Sequence, residues 1–249
     1  MNALRSFVAV AILVSTSCAM AREPAKTKST TATTTAPVAT SHAPPTVAPT
    51  STLPPSERLV RLARASVVRV RTSGCGQVSI GTAWMANDGR LVSNWHVVEG
   101  GPSHDVSTWD GHDLTPGSID IAIEADISRI SGSWREAPDL RPMTTRSDRI
   151  PDGEIVHVLG YPEGNELTVS SGESMGYSYD SDLAPREILK ITAPVKHGNS
   201  GGPVVDADGR VVGVIYAEEI ATGATLVIPI ADVIGPTGVP LAPLVPCSA

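Results

Sequence analysis

The chain of 249 residues has few aromatic side chains, few cysteines and a shortage of positive charge. Phe, Trp and Tyr make up 4% of the sequence, whereas hydrophobic residues make up 41%. The core must therefore be built mainly from aliphatic side chains. The formal net charge is −7. This balance argues against nucleic acid as a partner, because recognition of phosphates needs clustered Lys and Arg. An acidic surface of this size serves solubility.

The sequence also lacks an apolar run long enough to cross a bilayer as a stable helix. The run at 7–14 (FVAVAILV) is short and follows Arg5, and Ala19-Met20-Ala21 then offers small residues at the two positions that a signal peptidase reads. This is the pattern of a signal peptide, and we expect residues 1–21 to be removed on export to a secreted or cell-envelope location. Lipid attachment at Cys18 is the alternative, but the preceding Ser-Thr-Ser is a poor lipidation motif.

Cleavage after residue 21 would leave two of the three cysteines, Cys75 and Cys247. An exported protein meets an oxidising compartment, so one disulfide between them is the natural expectation. Two buried free thiols and a metal site are the alternatives. A metal is disfavoured because neither Cys has another Cys or His at short spacing.

Residues 22–56 consist mainly of Thr, Ala, Pro and Ser. Such a stretch cannot bury enough apolar surface to offset the entropy lost on ordering, so we expect a disordered, extended spacer. The folded domain is expected over 57–249, and it should open with a short helix because ERLVRLARA from Glu57 places its apolar residues at helical spacing.

The rest of the chain has the composition of an all-β domain. It contains 22 Gly and 21 Pro, which suit frequent turns. Asp88-Gly89 and Asp208-Gly209 are pairs that tight hairpins favour. Short β-branched runs predict strands at 66–71, 90–95, 119–123, 155–161, 211–216 and 225–228. Strands at this spacing favour a sandwich or a pair of barrels over alternating β and α units.

The segment Gly198–Pro203 (GNSGGP) is the sharpest chemical signal. A serine nucleophile needs an exposed hydroxyl in a tight turn, which glycines on both sides allow. The backbone N–H groups of Gly198 and Ser200 could then stabilise the oxyanion of a tetrahedral intermediate. The same letters fit the nucleophile elbow of α/β-hydrolases, where the catalytic His follows the Ser. All six His of this chain precede Ser200, so that interpretation lacks a base.

His96 is the candidate base, at the end of an apolar run that we predict to be a strand. Its place before the nucleophile fits one of the convergent orders of the Ser-His-Asp triad. His157 alternates with apolar residues in another predicted strand, which favours a packed side chain. His197 is too near Ser200 in the chain for its ring to reach the hydroxyl, and we expect it to form a wall of the pocket.

Asp120 is the candidate acid that orients His96. It interrupts the apolar run Ile119–Ile123, and a carboxylate buried there would be costly unless it were paired. Asp126 is the second choice, because its surroundings are less apolar.

Taken together, these motifs resemble the trypsin-like peptidases of the chymotrypsin superfamily. The resemblance is carried by SNWHVV at 93–98, DIAI at 120–123 and GNSGGP at 198–203, with further similarity at 81–84 and 211–217. It implies two antiparallel β-barrels, over about 66–150 and 151–235, with the triad in the cleft between them.

The branch of the family can be narrowed. Asn199 occupies the position where trypsin has an Asp that pairs with a newly freed N-terminus. The chain therefore resembles HtrA-like and actinobacterial exported members, which need no such ion pair. The positions of Cys75 and Cys247 resemble the disulfide of the actinobacterial group. The segment after Ser200 is too short for the PDZ domain that HtrA proteins usually carry.

The resemblance also implies specificity residues. Pro194 stands where trypsin has the Asp that selects basic side chains, and Val195 follows it. These two apolar residues favour small or medium apolar side chains at the cleavage point. Tyr216 and Ala217 end the stretch that would pair with substrate. Glu218 and Glu219 follow it and could attract a basic residue further along the substrate.

The sequence thus predicts a serine endopeptidase that acts on proteins or peptides without a metal or an organic cofactor. A non-catalytic relative that binds peptides is the alternative, against which the intact His, Asp and Ser weigh. A structural protein of the cell surface is a more distant possibility, supported only by the spacer.

Overall fold

The computed structural model describes residues 54–180, 186–234 and 240–247. The predicted signal peptide, the alternative lipid site and nearly all of the spacer lie outside the described residues. The first element is helix α1, Pro55–Ser66, which buries Leu59 and Ala63. It begins two residues before the predicted start at Glu57, because a proline is well tolerated in the first turn of a helix.

The first six strands close into an antiparallel barrel. They pair in the order β5-β4-β1-β2-β3-β6, and β6 pairs back onto β5. A short strand from the C-terminal segment, β13, extends the sheet beside β5. The bounds are β1 Val67–Gly74, β2 Gln77–Met85, β3 Leu91–Ser93, β4 Ser103–Ser107, β5 Asp113–Ala122, β6 Ile127–Ser133 and β13 Ala242–Pro243.

A second closed barrel follows in the order β10-β11-β12-β9-β8-β7, again antiparallel throughout. Two short helices accompany the barrels: α2, Trp95–Val98, after β3, and α3, Ile230–Ile234, after β12. The bounds are β7 Ile155–Gly160, β8 Thr168–Asp180, β9 Arg186–Ile191, β10 Pro203–Val205, β11 Val211–Glu219 and β12 Ala224–Pro229. The all-β, two-barrel fold expected from the sequence is confirmed.

Both Asp-Gly pairs lie in the tight turns that they predicted. Gly89 (φ 78°) joins β2 to β3, and Gly209 (φ 81°) joins β10 to β11. One predicted strand was wrong at its end. The run 90–95 stops being a strand at Ser93, and the chain turns at the buried Asn94 into α2, so His96 lies on a helical turn.

Aliphatic residues fill the interior, as the shortage of aromatics required. Trp84 is the largest exception: its side chain is fully buried in a core cluster that also contains Leu59 of α1, Leu159 and Ile228. Cys75 and Cys247 form a disulfide with a Cα–Cα distance of 6.4 Å, which fastens the C-terminal segment to the turn between β1 and β2. Within the described ranges, no helix is both long and apolar enough to cross a membrane.

Candidate active site

A buried asparagine fixes the turn that presents His96. The side-chain amide of Asn94 donates to the backbone oxygen of Asp126 at 2.8 Å, and Ser128 Oγ donates to the backbone oxygen of Asn94 at 3.0 Å. Both side chains are fully buried. The start of α2 is therefore tied to the turn between β5 and β6.

His96 and Asp126 form a close, two-point pair. Asp126 Oδ2 lies 2.7 Å from His96 Nδ1, and Asp126 Oδ1 accepts the backbone N–H of His96 at 3.0 Å. Asp126 is buried in a turn with φ 50°, whereas the His96 side chain remains 36% exposed. This geometry fixes Nδ1 as the protonated ring nitrogen and leaves Nε2 free to accept a proton.

The prediction of Asp120 as the acid was wrong. Ile119 and Ile121 both face the interior, so the alternation of a strand turns Asp120 to the opposite face. There its carboxylate lies 3.7 Å from the guanidinium of Arg90 and is one-third exposed. The second choice, Asp126, occupies the position beside His96.

The loop that carries Ser200 is fastened to the first barrel through Thr82 on β2. Thr82 Oγ1 donates to the backbone oxygen of Gly198 at 2.7 Å, and the Thr82 N–H donates to the backbone oxygen of Ser200 at 2.8 Å. Gly81 permits this close approach, since an added Cβ would lie 2.5 Å from Val97 and 3.0 Å from the Ser200 oxygen. The nucleophile loop and the helix carrying His96 are thereby held against the same strand.

Gly198 has φ 94°, a backbone conformation that favours glycine. A Cβ there would lie 2.3 Å from the backbone oxygen of Tyr161. Among the residues that the structure describes, the N–H groups of Gly198 and Ser200 donate to no protein acceptor. Two unpaired N–H donors within the loop that carries Ser200 are suited to stabilising an oxyanion.

His96 and Ser200 line one cavity of about 540 Å³. The cavity is also bordered by the start of β2 (77–80) and by His197, where a pocket wall was expected. His157 lies elsewhere, on β7. It is only partly buried and its Nδ1 lies 2.8 Å from Ser171 Oγ, and burial lowers the pKa of its ring.

The specificity residues inferred from the resemblance fall in two places. Pro194 and Val195 line a neighbouring cavity of about 650 Å³, which reaches Asn199 next to the nucleophile. Tyr216 and Ala217 lie on β11, beside a register shift, and pack against Ile188 and Leu226. Glu218 follows them on the same strand, opposite Thr225 of β12.

Sequence reasoning overlooked the residues that support the site. The side chains of Thr82 and Asn94 form hydrogen bonds that hold the loops of the site. Both residues lie inside motifs that the sequence analysis used, GTAW at 81–84 and SNWHVV at 93–98, but no role was predicted for either of them. A polar residue inside an otherwise apolar motif was the available signal, because a buried polar group must find a partner.

Comparisons with known proteins agree with this fold. The protein family described as "Trypsin-like peptidase domain" matches residues 81–214 of this chain. The serine protease Rv3671c of Mycobacterium tuberculosis is 29% identical over 182 residues, which cover 67% of this chain and 44% of the relative. The serine protease Do-like HtrA of Bacillus subtilis is 29% identical over 154 residues, covering 57% of this chain and 34% of the relative. The chain thus spans less than half the length of these curated relatives.

Solved structures give the same picture. The active form of the Rv3671c protease from M. tuberculosis superposes with a TM-score of 0.65 at 25% identity, covering 79% of this chain and 91% of the other. The HtrA-type protease AlgW, solved with a tripeptide, gives 0.64 at 27% identity, covering 71% and 60%. The family match extends over more than half of the sequence and contains His96, Asp126 and Ser200. This chain belongs to the trypsin-like peptidase family.

Proposed function

We propose that the protein is a serine endopeptidase whose triad is Ser200, His96 and Asp126. The observation that carries the proposal is the 2.7 Å contact between His96 Nδ1 and a buried carboxylate, on a histidine that shares a cavity with Ser200. Trypsin-like relatives named as serine proteases support the same class of reaction.

In the proposed reaction, Ser200 Oγ attacks the carbonyl carbon of a peptide bond and passes its proton to His96 Nε2. Asp126 holds the Nδ1–H and stabilises the imidazolium that forms. The negative oxygen of the tetrahedral intermediate accepts hydrogen bonds from the amides of Gly198 and Ser200. His96 then protonates the leaving amine as the carbon–nitrogen bond breaks, and water hydrolyses the acyl-enzyme by the reverse sequence.

We propose that the acyl part of a peptide lies along β11, with the side chain before the cut near Pro194 and Val195. The AlgW protease, whose structure was solved with a tripeptide, supports a peptide as the ligand class. Apolar lining by Pro194 and Val195 favours small or medium apolar side chains. Cleavage of a peptide library with a dominant Lys or Arg before the cut would contradict this assignment.

A fluorophosphonate probe tests the catalytic proposal. We expect the wild-type protein to be labelled on Ser200, and Ser200→Ala and His96→Ala to abolish labelling. Ser118→Ala is the matched control, because Ser118 lies on the exposed part of β5 and should label normally. A wild-type protein that binds peptides with no labelling and no cleavage would instead be a binding module.

We propose that the protein is exported, with residues 1–21 as its signal peptide. A relative from Chlamydia muridarum, 30% identical over 132 residues that cover 52% of this chain and 26% of the relative, is named a DegP-like periplasmic serine endoprotease. Mass spectrometry of the mature N-terminus tests the boundary. We expect Arg22 as the first residue, whereas a lipid-modified Cys18 would show lipoprotein processing.

A further inference from the structure

A further cavity, of about 610 Å³ and lined by several charged residues, lies on the first barrel beside the proposed active site. Strands β1, β4 and β5 form its walls, and Ile80 of β2 and Gly164 close one side. Its charged lining residues are Arg69, Arg71, Asp105 and Asp113, together with His104.

Arg69 is the unusual member of this lining. Its guanidinium donates to the backbone oxygen of Gly164 at 3.0 Å and to the buried Ser107 Oγ at 3.1 Å, and both of these acceptors are neutral. No carboxylate lies within ion-pair distance of it in the described parts of the chain. An anionic partner strongly stabilises a half-buried guanidinium. The guanidinium has five N–H donors, and these two contacts use only two of them.

The other charges of the cavity do not supply that partner. Arg71 and Asp105 pair with each other at 3.5 Å. The His104 ring uses Nε2 to contact the backbone oxygen of Val98 at 3.0 Å. Asp113 is exposed at the start of β5. Arg69 is thus the one cation of this lining without a carboxylate neighbour among the described residues.

The cavity adjoins the catalytic cavity on the side of the leaving group. Ile80 lines both cavities, and Gly164 directly follows Glu163, which lines the catalytic one. Since His96 protonates the leaving amine, the leaving peptide must run on the His96 side of Ser200. The start of β2 lies on that side, because Ser79 Oγ donates to the backbone oxygen of His96.

We infer that Arg69 binds a carboxylate on the leaving-group side of the substrate, and that this cavity selects acidic peptides there. The inference rests on the proposed endopeptidase activity and adds a substrate class to it. The carboxylate can come from an Asp or Glu side chain or from the C-terminus of a short leaving peptide. The second source would direct the enzyme to bonds close to the end of a chain.

Binding to the full chain carrying Ser200→Ala tests the inference without needing turnover. Three fluorescent peptides share one sequence up to the scissile bond. The first has Glu two residues after it and an amidated end, the second has Gln there and an amidated end, and the third ends there in Gln with a free carboxylate. We expect about tenfold tighter binding of the first or third peptide than of the second, the usual scale for a charge-assisted hydrogen bond.

In the Ser200→Ala background, Arg69→Gln should remove this preference and leave binding of the neutral peptide unchanged. Arg69→Lys should keep part of it. Arg71→Gln, in the same cavity but already paired with Asp105, should keep all of it. Equal affinity for all three peptides, or equal weakening of all three by Arg69→Gln, would overturn the inference. Labelling of the wild-type protein by a fluorophosphonate reports separately on the endopeptidase proposal.

Discussion

The substitution Asp126→Asn should abolish the proposed peptidase activity with little change to the fold. The asparagine oxygen can still accept the His96 backbone N–H at 3.0 Å, but its NH₂ group would face Nδ1 at the position of the 2.7 Å contact. An N–H donor there forces Nδ1 to become the acceptor and places the ring proton on Nε2. In that tautomer His96 cannot take the proton from Ser200.

The expected loss is large. The same change in a Ser-His-Asp triad lowers kcat by roughly 10⁴-fold, about 5 kcal/mol of activation free energy. Asp120→Asn is the matched control, because the same atoms change at a carboxylate that is one-third exposed and 3.7 Å from Arg90. An exposed ion pair of this kind contributes little, so we expect less than a twofold effect.

The assay is the second-order rate of fluorophosphonate labelling, with steady-state cleavage of a peptide for kcat and thermal unfolding as a check of folding. The reasoning fails if Asp126→Asn retains more than a tenth of the wild-type rate while folded. It also fails if Asp120→Asn loses activity to the same degree.

Three other predictions concern the nucleophile loop, the disulfide and a buried carboxylate. Gly198→Ala should lower labelling more than 100-fold, because φ is 94° and the new Cβ would meet a backbone oxygen at 2.3 Å; normal labelling would refute the role of this loop. Changing both Cys75 and Cys247, which are exposed, to Ser should lower the free energy of unfolding in urea by about 2 to 5 kcal/mol, because the bridge closes a 172-residue separation; an unchanged midpoint would refute this. Burial tends to raise the pKa of Asp206, but hydrogen bonds and charge from Arg210 outweigh it and the pKa is lowered. The resulting stabilisation is present above the ordinary value of 3.8 and is lost as pH falls through the lower folded value. Asp206→Asn should therefore cost about 2 kcal/mol at pH 7 in urea unfolding and progressively less as the pH is lowered below 3.8, and a cost that does not vary with pH would contradict the assignment.

Local patterns predicted the all-β class, the first helix and six of the thirteen strands in the described residues, which are β1, β3, β5, β7, β11 and β12. Helix α1 followed from apolar residues at helical spacing, and the turns at Gly89 and Gly209 followed from Asp-Gly pairs that accept positive φ. Strand β4 is one of the strands that the sequence did not predict, because its sequence, SHDVS, is mostly polar and only its last two residues are buried. Its existence depends on pairing with β1, a contact that no local pattern reveals.

The sequence alone determined which chemistry was available. The order of His96 and Ser200, the glycines around the nucleophile and the absence of any later histidine depend only on residue types and their succession in the chain. These features also excluded the α/β-hydrolase interpretation.

Tertiary structure decided which carboxylate lies beside His96. Both Asp120 and Asp126 precede an isoleucine near apolar residues, and the sequence favoured the one inside the apolar run. The alternation of β5 turns Asp120 outward, while the turn after β5 carries Asp126 back beneath α2, where Asn94 fixes its backbone. The choice depends on the direction of a side chain and on contacts between distant segments, and these exist only once the barrel has closed.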